Sequence, residues 1–449
     1  MFKRSKLNTR IYAPTHRWRN YQVKLRKQSA QEKAIRRLPI YLMALVVLIG
    51  LTKGAFWLYD WAFLKPQPAQ AELETASVQP LDRKILPKLL ANTQLTDITL
   101  ETFHLNAGTR KYRIATSIMP SLQQVITDNI DRKYAKYFGF VAIEPETGKI
   151  IAMVSFDKTG ADSNVCTRPD FPAASLIKIV TAAAAIEEYG FRRTTPVSFN
   201  GRKYTLYKSQ LKNRDNRYTN HMTFEESFAD SINPVFGKIG IHHLKKSGLE
   251  KYAKAFGFNR QIDFDLPLHQ SPLIIKDEPY NWAEIACGFN RQTLISPLHA
   301  ALLVSGVLND GRLMAPTLIQ TVREDNQLVY KSQRHILNQA VSADTANRLK
   351  KLMNATISGG TARSAFRSTR RDDILSRLDI GGKTGSINNN PLHIKYDWFA
   401  GFAEETDGGK KLAVAAFVAH KEYIGTRAAS YAKLAFQEYF SNPETDSNV

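Results

Sequence analysis

Three short segments, in one order, constrain this chain more than anything else in it: Ser175-Leu176-Ile177-Lys178, Ser231-Ile232-Asn233 and Lys383-Thr384-Gly385-Ser386. A serine hydroxyl is a weak nucleophile at neutral pH and needs a base within hydrogen-bond reach. Residues three apart on a helix share a face, so Lys178 stands where such a base would stand. The pattern implies acyl transfer through a serine served by lysine in place of histidine. The fold must then bring the start of a helix, a break between helices and the end of a strand to one point.

The chain has 449 residues with 43% hydrophobic content, enough for one large or two ordinary domains with a substantial core. Its net charge of +21 raises nucleic acid as a partner. The distribution of that charge argues otherwise, because residues 1–37 hold 12 Lys or Arg against one acid, Glu32. This basic stretch runs into an apolar one, from Leu38 to Tyr59, long enough to cross a hydrocarbon core. Trp57, Tyr59 and Trp61 at its far end suit an interface, and Lys53 near that end can snorkel outward. The flanking charges predict a single-pass anchor in the cell membrane, with the N-terminus cytoplasmic and the remainder outside. A cleaved signal peptide would need a small-x-small site soon after the apolar run, and Ala69-Gln70-Ala71 lies too far downstream. A polar spacer with Pro66, Pro68 and Pro80 follows.

The cysteines are Cys166 and Cys287, with no C-x-x-C spacing, so neither zinc nor redox chemistry is suggested. A disulfide between them stays open for an exported body, since sequence does not give their separation. The histidines form no metal motif, and no cofactor is expected.

Beyond residue 100 the pattern is globular. Tyr112 to Thr116 is expected as a strand, Pro120 to Tyr137 as a helix, and Phe138–Ile143 with Ile150–Val154 as a hairpin across a Glu-Pro-Glu-Thr-Gly-Lys turn. An apolar helix from Leu176 to Glu188, stopped by Gly190, puts Ser175 at a helix N-terminus, where the dipole favours developing negative charge. Thr223-Phe224-Glu225-Glu226 is a capping box, and Ser231-Ile232-Asn233-Pro234 breaks before a further helix. Pro297–Leu308 is an apolar helix. Strands are expected from Leu378, over Asp397–Phe402 and over Leu412–Ala419, and a helix over Thr426–Phe440 closes the domain.

Residues from about 112 to 440 resemble the transpeptidase domain of penicillin-binding proteins. The resemblance rests on the three segments, whose types are those of the penicillin-recognising serine enzymes. It rests further on Thr116–Gln123, on Glu144–Met153, on Gly359-Gly360-Thr361-Ala362 and on Asp397–Phe402. The fold it implies is α+β, a central antiparallel sheet flanked by helices with an inserted all-helical subdomain, preceded by one transmembrane helix. The organisation expected is a basic cytoplasmic tail at 1–37, an anchor at 38–59, a linker at 60–111, a catalytic domain at 112–442 and a polar tail at 443–449.

The resemblance also implies roles. Ser175 would attack the penultimate D-alanine carbonyl of a peptidoglycan stem peptide, with Lys178 as base. Ser231 would pass the proton to the departing D-alanine, and Asn233 would hold the substrate amide. Lys383 would lower the pKa of Lys178 through its charge and, with Thr384, bind the terminal carboxylate. Gly385 and Ser386 would line the substrate cleft, and the backbone N–H groups of Ser175 and Ser386 would form the oxyanion hole. β-Lactams are the implied inhibitors, and partners in cell-wall synthesis are implied as well.

Some features depart from that pattern. Residues 60–112 are too few for a large pedestal domain, and Ala286-Cys287-Gly288-Phe289-Asn290 matches only in part an Ala-Ile-Gly-Gln-Gly run usual in the family. Two further readings stand beside a cross-linking enzyme: a carboxypeptidase or lactamase of the same superfamily, and a scaffold or sensor that binds penicillin without turnover. A phosphate-binding loop ending at Lys383-Thr384 is excluded because it needs glycine where Arg377 stands. Arg202 to Tyr218 interleaves tyrosines with basic groups, but no nucleic-acid motif accompanies it, and it reads as a solvated face.

Overall fold

The computed structural model describes residues 81–91, 93, 100–160 and 164–441. The basic tail, the expected anchor and the polar C-terminal tail lie outside the described residues. Along the chain, β1 (Thr102–Ala107) turns at Gly108 into β2 (Arg110–Thr116), and α1 (Pro120–Asp128) leads to the hairpin of β3 (Ala135–Ile143) and β4 (Ile150–Asp157). Next come helices α2 (Ile177–Tyr189), α3 (Phe224–Ala229), α4 (Asn233–Ile239), α5 (Lys245–Ala255), α6 (Pro279–Cys287) and α7 (Pro297–Leu308). The hairpin of β5 (Ile319–Glu324) and β6 (Gln327–Lys331) precedes α8 (Ala343–Ser358). Three long strands, β7 (Leu378–Asn389), β8 (Ile394–Glu405) and β9 (Lys411–His420), then lead to α9 (Ala428–Ser441).

The main sheet has the order β7-β8-β9-β3-β4, antiparallel throughout. Side chains alternate across a strand, and here both faces are covered. Phe138, Phe140 and Ala142 of β3 pack in one core with Leu122, Ile126, Tyr431 and Phe436 of α1 and α9. Val141 and Ile143 turn to a second core with Leu298 and Leu302 of α7. Each residue of α7 is buried, as its apolar character on every side requires. The expected α+β layering, a helix-flanked antiparallel sheet, is thus present.

Three expectations need correction. The helix expected over 120–137 ends at Asp128, where Asn129 donates its side-chain amide back to the Val125 carbonyl, and the chain enters β3 by Ala135. The insert between β4 and β7 is not all helical: Pro196–Phe199 pairs with Asn220–Thr223, Arg312–Met314 pairs with Ile336–Gln339, and β5-β6 extends the β1-β2 hairpin into a four-stranded sheet. The expected linker also contributes folded structure. It supplies β1 and, further upstream, Arg83, whose Nε donates to the fully buried carboxylate of Asp265 at 3.0 Å. That carboxylate accepts the Leu318 and Ile319 backbone N–H groups as well, so the segment is fastened where β5 begins.

Cys166 and Cys287 are both buried and both free, so the disulfide left open by the sequence does not form. The Cys166 thiol lies within hydrogen-bond reach of the Phe140 and Val154 carbonyls on the main sheet, whereas Cys287 ends α6.

Candidate active site

Ser175 sits in a tight helical turn, Ala174–Leu176, that leads directly into α2, and the preceding Ala174 has φ 47°, a left-handed conformation costly for alanine. Two ties hold the turn. Ala173 donates its N–H to the Thr293 carbonyl at 2.9 Å, and the indole of Trp398 on β8 donates to the Pro172 carbonyl at 2.9 Å. Gly288 closes the other side: its φ is +73°, and a Cβ there would stand 1.9 Å from the Ala174 carbonyl oxygen. Only glycine allows that approach.

One turn along α2, Lys178 is wholly buried among apolar residues, with Nζ 2.7 Å from Ser175 Oγ, 2.8 Å from Asn233 Oδ1 and 2.7 Å from the Cys287 carbonyl. Burial lowers its pKa to about 8. The three contacts match the three N–H groups of the ammonium, and they also serve the neutral amine. The amide oxygen and the carbonyl can only accept, so they take its two N–H groups, and the lone pair is left for the serine O–H.

Ser231 has φ 59° and ends the connection from α3, while Asn233 opens α4 with Pro234 beside it. Asn233 is pinned at three points, because its backbone N–H meets the Lys203 carbonyl and its side-chain amide the Tyr204 carbonyl, besides Lys178. Lys383 rises from β7, fully buried, and reaches Ser231 Oγ at 2.9 Å and the Thr384 carbonyl at 2.9 Å. Burial pushes its pKa well below the usual lysine range, and the charge of Lys178 pushes it further. Repulsion between two like charges disfavours the charged form of both lysines, and burial is the first cause of the lowered pKa of each.

β7 is an edge strand of the main sheet, so part of its backbone is left without a strand partner and faces the nucleophile. A Cβ on Gly385 would come within 3.4 Å of the Ser175 backbone nitrogen. The strand therefore passes close to the helix N-terminus where an oxyanion would be held. Thr384 Oγ1 lies 2.6 Å from Thr361 Oγ1, and Ser386 donates to Asp397 at 3.2 Å.

Ser175, Ser231, Asn233, Thr384 and Ser386 share one cavity of about 1070 Å³, with Lys178 and Lys383 buried behind it. Arg291, Lys395 and Arg427 add positive charge to its wall, and Asp397 is its one carboxylate among the described residues. The eight residues singled out from sequence are accordingly brought together. Sequence reasoning missed the Cys287 carbonyl, for which residue type gives no signal. It also missed Asp397, read only as part of a strand, and the pairing of Thr361 with Thr384, although the Gly-Gly-Thr segment had marked the place. Among the described residues no cluster of His, Cys, Asp or Glu is arranged to hold a metal ion.

Comparison with known proteins agrees with this geometry. Stage V sporulation protein D of Bacillus subtilis is 26% identical over 283 residues, covering 59% of this chain and 42% of that protein. The peptidoglycan D,D-transpeptidase PbpA of Mycolicibacterium smegmatis is 25% identical over 362 residues, covering 71% of this chain and 70% of that one. The chain thus spans less than half of the first relative's length and about 70% of the second's. Among solved structures, the imipenem acyl-enzyme of penicillin-binding protein A from M. tuberculosis superposes with a TM-score of 0.61 at 21% identity, covering 73% of this chain and 79% of that one. The model of the penicillin binding protein transpeptidase domain matches residues 138–438, from the first strand of the main sheet into its last helix, and the chain belongs to that family.

Proposed function

We propose that this chain is a membrane-anchored serine D-alanyl-D-alanine transpeptidase that cross-links peptidoglycan stem peptides through an acyl-enzyme on Ser175. The observation that carries the reading is the set of three hydrogen bonds on Lys178, which holds its nitrogen 2.7 Å from the Ser175 hydroxyl. A pKa of about 8 makes that amine a competent base near neutral pH.

In the forward step Ser175 Oγ bonds to the penultimate D-alanine carbonyl carbon, and its proton passes to Lys178. The carbonyl oxygen takes up negative charge against the Ser175 backbone N–H, just before α2, and the Ser386 backbone N–H of β7. The C–N bond to the terminal D-alanine then breaks, and its nitrogen receives the proton that Lys178 took, relayed through Ser231, which Lys383 holds at 2.9 Å. Thr384 and Lys383 receive the substrate carboxylate, whose charge favours the protonated form of Lys383. Asn233 orients the substrate amide. In the second step an amine of another stem peptide attacks the ester carbonyl, gives up its proton and releases Ser175.

Hydrolysis instead of amine transfer would require a base for water. The one carboxylate on the cavity wall among the described residues is Asp397, and its oxygens are engaged by Ser386, Arg427 and the Ala428 N–H. This arrangement favours a long-lived acyl-enzyme over a carboxypeptidase or lactamase. The intact buried lysines, costly to keep without use, favour an enzyme over a sensor or scaffold. The anchor at 38–59 and the location of the body outside the cell membrane belong to the same proposal. The lifetime of the adduct formed with labelled penicillin tests it: a slowly released adduct supports the transpeptidase, rapid steady hydrolysis the lactamase, and no adduct overturns both.

A further inference from the structure

The loop between Phe199 and Asn220 takes no part in the chemistry above, yet it stands at the mouth of the cavity. Tyr204 lines the cavity, the Lys203 carbonyl accepts the Asn233 backbone N–H and the Tyr204 carbonyl its side-chain amide, so the loop is fastened to the residue that also holds Lys178. Buried Gln210 fixes its shape from within, its oxygen accepting from Tyr207 N–H and its amide donating to the Asn200 and Arg202 carbonyls. The loop is built as a rigid platform.

Its outer face has an unusual composition. Tyr204, Tyr207 and Tyr218 are 59%, 63% and 68% exposed, large aromatic rings that the core does not use. Arg202, Lys208, Lys212, Arg214 and Arg217 are exposed between them, whereas Lys203 is paired with Asp230 at 2.6 Å. The single acid of the loop, Asp215, lies against His221 at 3.2 Å. Arg217 lies over the Tyr218 ring, 4.6 Å from its centroid, and the other cations, left without acids beside exposed Tyr204 and Tyr207, fit a ligand that combines negative charge with flat apolar faces.

We propose that this face binds the peptidoglycan strand whose stem peptide enters the cavity. The proposal rests on the transpeptidase reading, and it adds a binding surface beyond the catalytic cleft. Uncross-linked stem peptides end in carboxylates, which suit the cations, and the C–H faces of pyranose rings lie flat on exposed tyrosines. Tyr204 lines the cavity, so a strand that delivers one stem to Ser175 and leaves on that side brings its adjacent sugars and stems onto Tyr207 and the basic groups. Anchoring at a second place raises the local concentration of donor stems at the serine. A duplex nucleic acid or an anionic membrane would also meet the charge, but neither accounts for the attachment of the loop to the catalytic asparagine.

The test uses the purified full-length protein and a variant carrying Tyr207→Ala, Lys208→Glu, Lys212→Glu and Arg217→Glu, exposed substitutions that leave Gln210 and Asn233 in place. Co-sedimentation with insoluble peptidoglycan is measured at low and high salt, alongside labelling by penicillin and binding to phosphatidylglycerol vesicles. The expected result is co-sedimentation of the unaltered protein that weakens with salt and falls about tenfold in the variant, with penicillin labelling the same in both. Equal sedimentation of the two proteins overturns the proposal, as does failure of the unaltered protein to sediment while penicillin still labels it, a result that leaves the transpeptidase reading standing. A variant that loses vesicle binding but keeps peptidoglycan makes the loop a lipid surface and also overturns it. Absence of penicillin labelling in both proteins removes the catalytic reading and this inference with it.

Discussion

Thr361 Oγ1 lies 2.6 Å from Thr384 Oγ1, joining the turn after α8 to the strand that carries the second lysine. One of the two hydroxyls must donate; when Thr361 donates to Thr384 Oγ1, the Thr384 O–H is left to donate to the substrate carboxylate proposed to dock in the cavity. Thr361→Val keeps the shape and removes the partner. Acylation by penicillin is expected to fall about fivefold, the worth of one hydrogen bond, with the shift in apparent binding and not in the maximal acylation rate. An unchanged dependence on penicillin concentration would show that Thr384 needs no such help.

The pH dependence of acylation follows from Lys178. Only the neutral amine accepts a proton, and its pKa is lowered to about 8, so the rate should climb with pH up to about 8 and level off above it. Below that point it should drop about tenfold per pH unit, as the neutral fraction does. Lys178→Arg, which stays charged throughout, should slow acylation by at least about 100-fold at each pH. Stopped-flow measurement of adduct formation checks both, and a profile flat from acid to alkaline pH would assign the base elsewhere.

Gly288 makes a sharper test of how the serine is held. Alanine at this position would meet the Ala174 carbonyl and would also have to adopt φ +73°. Relief of that clash moves the turn before Ser175 or the carbonyl of Cys287, and either movement breaks the alignment with Lys178. Gly288→Ala is therefore expected to lower the acylation rate by about 100-fold while the chain still folds, read by circular dichroism and labelling together. A variant with full labelling would mean the turn tolerates the shift.

The anchor can be examined separately. The 12 basic residues before position 38 and the apolar run after it predict that a reporter active only after export works when joined after residue 70. Activity of a reporter that works only in the cytoplasm, at the same junction, would contradict this topology.

Much of the fold could be read from local chemistry. The capping box appears as expected, with Thr223 accepting the Glu226 N–H while Glu226 takes the Thr223 N–H, and Gly190 ends α2 in the left-handed conformation that glycine allows. The long strands β7 to β9 also lie where apolar runs placed them. What escaped was set by partners distant in sequence. The overrun of α1 into residues 129–137 reflects a stretch whose helical pattern loses to pairing with β4 and β9. β1 was hidden because Thr102–Ala107 buries only Phe103 and Ala107, too sparse an alternation to stand out. In the site, the residue types carried by the three segments sufficed to mark Ser175 and both lysines, which the fold brings together. The Cys287 carbonyl was beyond reach, because every residue has one and only the folded chain brings this one to Lys178. The complete burial of both lysines, the first cause of their lowered pKa values, is likewise something that sequence does not give.

The central claim is that Ser175 is the nucleophile, and mass spectrometry of a trypsin digest after penicillin treatment addresses it most directly. The unaltered protein should carry one adduct, on the peptide containing Ser175, and Ser175→Ala should carry none, while alanine at Ser155 should leave labelling as it was. An adduct that persists in Ser175→Ala, or that maps to another serine, would contradict the account.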